Sequence, residues 1–185
     1  MTRSECLVWM DLEMTGLNPI KDVILEVATL VTDVHLQVIA EAPVLVVHQP
    51  EAVLEKMEEV VRRMHERNGL LQRVRQSQLS APEAEETILR FLRQHCAEGE
   101  SPLCGNTVWT DRMFLSMQMP SIHRFLHHRV IDVSTLKELA QHWFPSIRQA
   151  APPKPETHRA LDDIKASIVE LKYYREFLLV KPAAK

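Results

Sequence analysis

The chain has 185 residues, 45% of them hydrophobic, with only 4 glycines; that suits one ordered domain able to bury a full core and excludes a disordered protein. A net charge of −3 and a pI near 6.3 exclude a protein that coats long nucleic acid, which needs many cations against successive phosphates, but allow a short nucleic acid held with the help of metal ions. Cys6, Cys96 and Cys104 lack metal-ligand spacing, and neither an N-terminal signal run nor a membrane-length apolar stretch is present, so the expectation is a soluble, cytoplasmic protein with reduced thiols, no zinc and no membrane partner.

Residues 7–17, Leu-Val-Trp-Met-Asp-Leu-Glu-Met-Thr-Gly-Leu, read as a buried strand that carries two acids. Alternate side chains share a face, so Asp11 and Glu13 project together while Met10, Leu12 and Met14 point into a core. Two carboxylates side by side in an apolar run repel each other and lose hydration, which calls for a cation; Mg²⁺ or Mn²⁺ would suit oxygen ligands. The competing reading ends the strand at Asp11 and leaves both acids solvated at its mouth, and partners elsewhere in the chain must decide between the two.

Gly16-Leu17-Asn18-Pro19 is turn chemistry, residues 23–31 form a second strand, and a third runs over 38–40 and resumes at 44–47 after a bend at Ala42-Pro43. Short connections make these three an antiparallel meander. From Pro50 the period becomes helical, with Leu54, Met57, Val61 and Met64 on one stripe up to Asn68-Gly69. Ser80 and Glu83 form a capping box for a second helix reaching about His95. A short buried strand over 102–106 opens into a loop before Asp111, and helix-spaced apolar residues run to Met119. Residues 130–133 form another strand, after which Thr135 and Glu138 fit a second capping box; such a helix start could bind an anion or simply be capped. Residues 144–156 hold four of the 11 prolines and read as a long loop. A last helix follows, with Leu161, Ile164, Ile168 and Leu171 on one face. Strands first, then strands alternating with helices, give an α/β domain with a mixed sheet flanked by helices over residues 1–180, followed by a frayed tail at 181–185.

Asp111, His158 and one of Asp162 or Asp163 fall at strand ends and helix starts, where α/β sites form. The two last acids lie on opposite shoulders of the apolar stripe, so periodicity does not choose between them.

Asp11-x-Glu13, a central aspartate and His158-x-Ala160-x-x-Asp163 resemble the three motifs of the DEDDh 3′→5′ exonucleases, which have an RNase H-like fold. More tightly, residues 9–17, Gly105-Asn106, residues 132–139 (Asp-Val-Ser-Thr-Leu-Lys-Glu-Leu) and residues 158–164 (His-Arg-Ala-Leu-Asp-Asp-Ile) resemble the oligoribonuclease family, a likeness spanning about residues 7–177. The resemblance chooses Asp163 over Asp162 and implies that Asp11, Glu13, Asp111 and Asp163 ligate two divalent ions, Mg²⁺ or Mn²⁺, for an in-line displacement at phosphorus, with His158 as general base.

It further implies a substrate of short single-stranded RNA, down to 5′-phosphorylated dinucleotides, cut to 5′-mononucleotides. Leu17 matches the leucine that wedges against a base, and Arg129, Ser134 and Thr135 match residues that hold the 5′ phosphate. Thr107 stands where the family usually has serine, and His65 matches a histidine ahead of the family's Ser-Gly-Leu segment, here Asn68-Gly69-Leu70. Two positions depart from the pattern: Val60 replaces a tryptophan, and His128 replaces the tyrosine that in the family reaches a neighbouring subunit's site. A homodimer is implied. Trp109 and Trp143 are expected to pack rather than to serve as base platforms, with a site role left open for Trp109 because it lies close to Asp111, and the other histidines to lie on the surface or in ordinary packing. Rival readings are an exonuclease trimming longer RNA or DNA 3′ ends, which predicts a basic track that is not found, and an inactive nucleotide-binding or interaction module, which predicts loss of a motif residue.

Overall fold

The computed structural model describes residues 6–153 and 159–179. Strand β1 (Cys6–Met14) runs the full length of the acidic motif. It pairs antiparallel with β2 (Ile24–Asp33), and β2 in turn pairs with β3 (Val38–Glu41) and β4 (Leu45–Val46). The last two are one edge interrupted at Ala42-Pro43, where proline has no N–H to give the ladder. On the other side of β1, β5 (Leu103–Gly105) and β6 (Val130–Asp132) add in parallel, giving the order β3-β2-β1-β5-β6 with β4 also on β2. The expected mixed sheet is therefore present.

Nine helices are found among the described residues: α1 (Glu51–Leu54), α2 (Glu59–Arg67), α3 (Leu70–Gln76), α4 (Ala81–His95), α5 (Trp109–Gln118), α6 (Pro120–Phe125), α7 (Val133–Trp143), α8 (Pro145–Gln149) and α9 (Ala160–Phe177). Ser80 and Glu83 form the expected capping box on α4.

Other expectations need correction. The single helix expected from Pro50 is two, parted at residues 55–58, where Met57 turns inward to a small core with Leu25, Leu54, Leu70, Leu71 and Val74. The capping box at Thr135 and Glu138 is absent: α7 starts earlier, and Asp132 caps it by accepting from Ser134 N at 2.9 Å. The stretch read as a loop over 144–156 contains α8, whose first residue is Pro145, a position where the missing N–H costs nothing. The proposed tail at 181–185 lies outside the described residues.

The alternation of β1 sorts two cores. Val8, Met10 and Leu12 face one side, packing with Ile88 and Leu92 of α4 and Phe114 of α5. Trp9 faces the other with Ala160, Ile164 and Ile168 of α9, and its ring N–H donates to Thr32 at 3.0 Å. Asp11 and Glu13 follow Trp9 on that second face, so period-2 geometry aims both acids toward the start of α9.

Candidate active site

Glu13 stands opposite Glu26 in the β1–β2 ladder, and the register slips between Glu13 and Met14. Such a bulge re-aims the side chains beside it. One oxygen each from Asp11, Glu13 and Asp163 lie within 4.8 Å of one another. The structure thus separates the two candidates on the last helix: Asp163 joins the cluster, whereas Asp162 is exposed on the helix surface.

Asp111, in the first turn of α5, is buried and accepts from Leu12 N at 3.0 Å. Leu12 lies between the two acids of β1, so this bond fixes α5 against the motif strand. Burial lifts Asp111 to about 7, against the pull of the Leu12 N–H. Burial likewise lifts Glu13 to about 8, with the charges of Glu26, Asp163 and Asp111 adding to it. Acids held this far above their ordinary range are poised to exchange protons for a cation. The donor set is all carboxylate oxygen, which hard divalent ions prefer, and the residues fit such an ion.

His65 is fully buried. Its Nε2 donates to the Met14 carbonyl at 2.9 Å, which turns Nδ1 toward Glu13 Oε2 at 3.9 Å. The ring therefore braces the end of β1 from beneath. His158 lies outside the described residues.

A second polar group forms where β5 ends beside α7. Thr107 has φ +54°, a conformation that strains a β-branched residue. Its N–H is held by Asp132 Oδ1 at 2.9 Å and Ser134 Oγ at 2.8 Å, and its own hydroxyl lies 3.2 Å from Ser134 Oγ. Thr107 and Ser134, distant in sequence, are thus brought together, with Thr135 exposed on the adjoining turn. His128 and Arg129 are exposed just before β6, where His128 stacks near His127, with ring centroids 4.1 Å apart. Among the described residues, no hydrogen bond ties either side chain to Ser134.

Leu17 is 75% exposed. It lines a cleft of about 860 Å³ with Gly16, Lys21, Lys56, Glu58 and Val61, within the size range of small-ligand sites. Asp22 shapes the turn that presents it, accepting from Thr15 Oγ1 at 3.0 Å and Asn18 N at 2.9 Å. A Cβ at Gly16 would sit 2.5 Å from Asp22 Oδ2, so any larger residue there displaces the carboxylate that shapes the turn. Trp109 and Trp143, expected to pack, are instead 56% and 67% exposed.

The exonuclease family model matches residues 8–171. An oligoribonuclease of Bordetella pertussis is 51% identical over 173 residues, covering 94% of this chain and 95% of that protein. One from Pseudomonas aeruginosa PAO1 is 49% identical over 179 residues, covering 97% and 99%. The chain belongs to the oligoribonuclease family of exonucleases. Its fold is also that of exonuclease I: the enzyme from Methylocaldum szegediense superposes with a TM-score of 0.71 at 19% identity, and the Escherichia coli enzyme in complex with a dT13 oligonucleotide with 0.69 at 15%. The chain covers 41% of the length of each, matching them over 94% and 92% of its own.

Within this oligoribonuclease-family fold, sequence reasoning missed Glu26 and Arg73, an ion pair of 2.7 Å beside Glu13, and the cleft lysines Lys21 and Lys56. Glu26 had a signal: an acid inside the otherwise apolar run of the second strand. The lysines had none, because they come from two separate turns.

Proposed function

We propose that this chain is a 3′→5′ exoribonuclease that degrades short oligoribonucleotides, dinucleotides included, to 5′-mononucleotides. The convergence of Asp11, Glu13 and Asp163, with Asp111 locked to Leu12 beside them, carries this reading. These four carboxylates would hold two divalent ions, Mg²⁺ or Mn²⁺, which when bound would supply an activated water and charge neutralisation at the departing 3′ oxygen.

The chain's own residues then divide the remaining work. His158, placed five residues before Asp163, takes the water's proton as general base. Leu17 wedges against a base at the mouth of its cleft, and His65 steadies Glu13 near the scissile phosphate. Thr107, Ser134, Thr135 and Arg129 hold the terminal 5′ phosphate and so reward very short RNA, for which a net negative protein suffices. His128 contributes from a second copy in a homodimer. Residues 1–180 act as a single exonuclease domain in the cytoplasm; among the described residues no helix is long and apolar enough to cross a membrane.

A length series tests the proposal. With Mn²⁺ present, two-nucleotide RNA is expected to be cut faster than five-nucleotide RNA, and twenty-nucleotide RNA slowest, with a 5′ phosphate favouring the shortest. Equal rates at all lengths would instead make the chain a general trimmer of 3′ ends.

A further inference from the structure

Asn106 satisfies both ends of its amide with groups from two different helices. Its Oδ1 accepts from Ser134 Oγ at 3.1 Å, at the start of α7. Its Nδ2 donates to Ser167 Oγ at 2.7 Å and to Glu170 Oε2 at 3.2 Å, both on α9. Ser167 passes the connection on, donating to the backbone carbonyl of Asp163 at 2.7 Å. Glu170 is 3% exposed, and its other oxygen faces Lys137 Nζ of α7 at 3.2 Å and the Tyr174 hydroxyl at 3.5 Å. A buried carboxylate of this kind persists only while its partners stay in place.

We infer that Asn106 is a positioning residue that couples the 5′-phosphate pocket to the turn of α9 carrying Asp163. This rests on the reading that Thr107 and Ser134 hold the terminal phosphate. The carboxamide offers an acceptor to Ser134 and a donor to Glu170 at once; a carboxylate would repel Glu170, and an apolar side chain would cut the link between the two. A phosphate that engages Ser134 therefore acts on the same amide that braces the Asp163 turn. The substrate's 5′ end thereby sets the placement of a group at its 3′ end, and the 5′ phosphate raises kcat as well as lowering KM.

The test compares steady-state kinetics on a dinucleotide with and without its 5′ phosphate, for the wild type, Asn106→Ala, Glu170→Gln and the double variant Asn106→Asp/Glu170→Gln. Thermal melting and Mn²⁺ titration without RNA accompany it. Each single variant is expected to lose about tenfold in the preference for the phosphorylated substrate, mostly in kcat. Mn²⁺ binding without RNA is expected to weaken in the single variants, because the turn that carries Asp163 loses its brace, and the double variant, which restores a donor opposite an acceptor, recovers part of both losses. Should Asn106→Ala fail to fold, the isosteric Asn106→Asp, which has no N–H to give Ser167 or Glu170, carries the comparison. A wild type indifferent to the 5′ phosphate would overturn both the pocket reading and this inference. A wild-type preference left intact in the single variants would overturn the inference alone, as would an equal loss on both substrates accompanied by a lower melting temperature.

Discussion

Glu13 and Glu26 face each other across the β1–β2 ladder, two acids where cross-strand partners are ordinarily apolar or of opposite charge. Arg73 of α3 resolves half of the conflict through its 2.7 Å ion pair with Glu26, whose side chain is 3% exposed. Glu13 is left to be neutralised by a proton or a cation. The arrangement lets the protein keep a carboxylate cluster in its sheet without a second buried charge going uncompensated.

Removing Arg73 strands the Glu26 charge. Arg73→Met is expected to destabilise the fold by roughly 3 kcal/mol, and Arg73→Met/Glu26→Gln to recover most of that loss. Urea unfolding curves measure both; an unchanged midpoint for Arg73→Met would show that water, rather than Arg73, compensates Glu26.

The raised acids make the metal-free protein sensitive to pH. Glu13 and Asp111 hold protons up to about 8 and 7 in the folded chain, whereas their ordinary values are 4.5 and 3.8. The folded state thus binds more protons than the unfolded state between these limits, so stability is full below the ordinary values and falls as pH rises toward 8. With EDTA present the melting temperature is expected to be lower at pH 9 than at pH 6. Saturating Mg²⁺ or Mn²⁺, which binds only the folded site, should flatten that slope.

Asp163→Ala is expected to abolish RNA cleavage with the fold intact, and exposed Asp162→Ala to have a much milder effect. Turnover of a dinucleotide, alongside circular dichroism of both variants, checks the pair. The reverse ranking would place the functional face of α9 on its other shoulder.

Gly16→Ala pushes a Cβ onto Asp22 and so loosens the turn that presents Leu17. KM for a dinucleotide should rise about tenfold, equivalent to ~1.4 kcal/mol of lost contact, with little change in kcat. A fall in kcat at constant KM would mean that the turn serves the chemistry rather than the base.

His158→Ala is expected to cut turnover by a factor of about a hundred or more, the scale of a lost general base. Binding of Mn²⁺, followed calorimetrically, should persist. Unchanged turnover would remove His158 from the proton transfer.

The sequence by itself determined the strand that carries Asp11 and Glu13, the meander, the capping box at Ser80 and the motif spacing around Asp163, because each is written in local periodicity or in a handful of neighbouring residues. The interruption at residues 55–58 escaped it, since Met57 keeps the helical stripe while turning to a different core. The true start of α7 escaped it as well, because Asp132 ends a strand and caps a helix at once. Resemblance supplied Asp163, but only packing gave the physical reason: the odd-numbered face of β1 beyond Trp9 meets α9 at that shoulder. Tertiary structure also decided the Glu13–Glu26 opposition, the burial of His65 and the Asn106 amide shared between α7 and α9. Glu26 had a local signal as an acid in an apolar run, but none of these pairings has one, because each joins residues far apart in the chain, and the sheet register that places them is set by the whole core. The opening strand therefore announced two acids, and the fold decided what surrounds them.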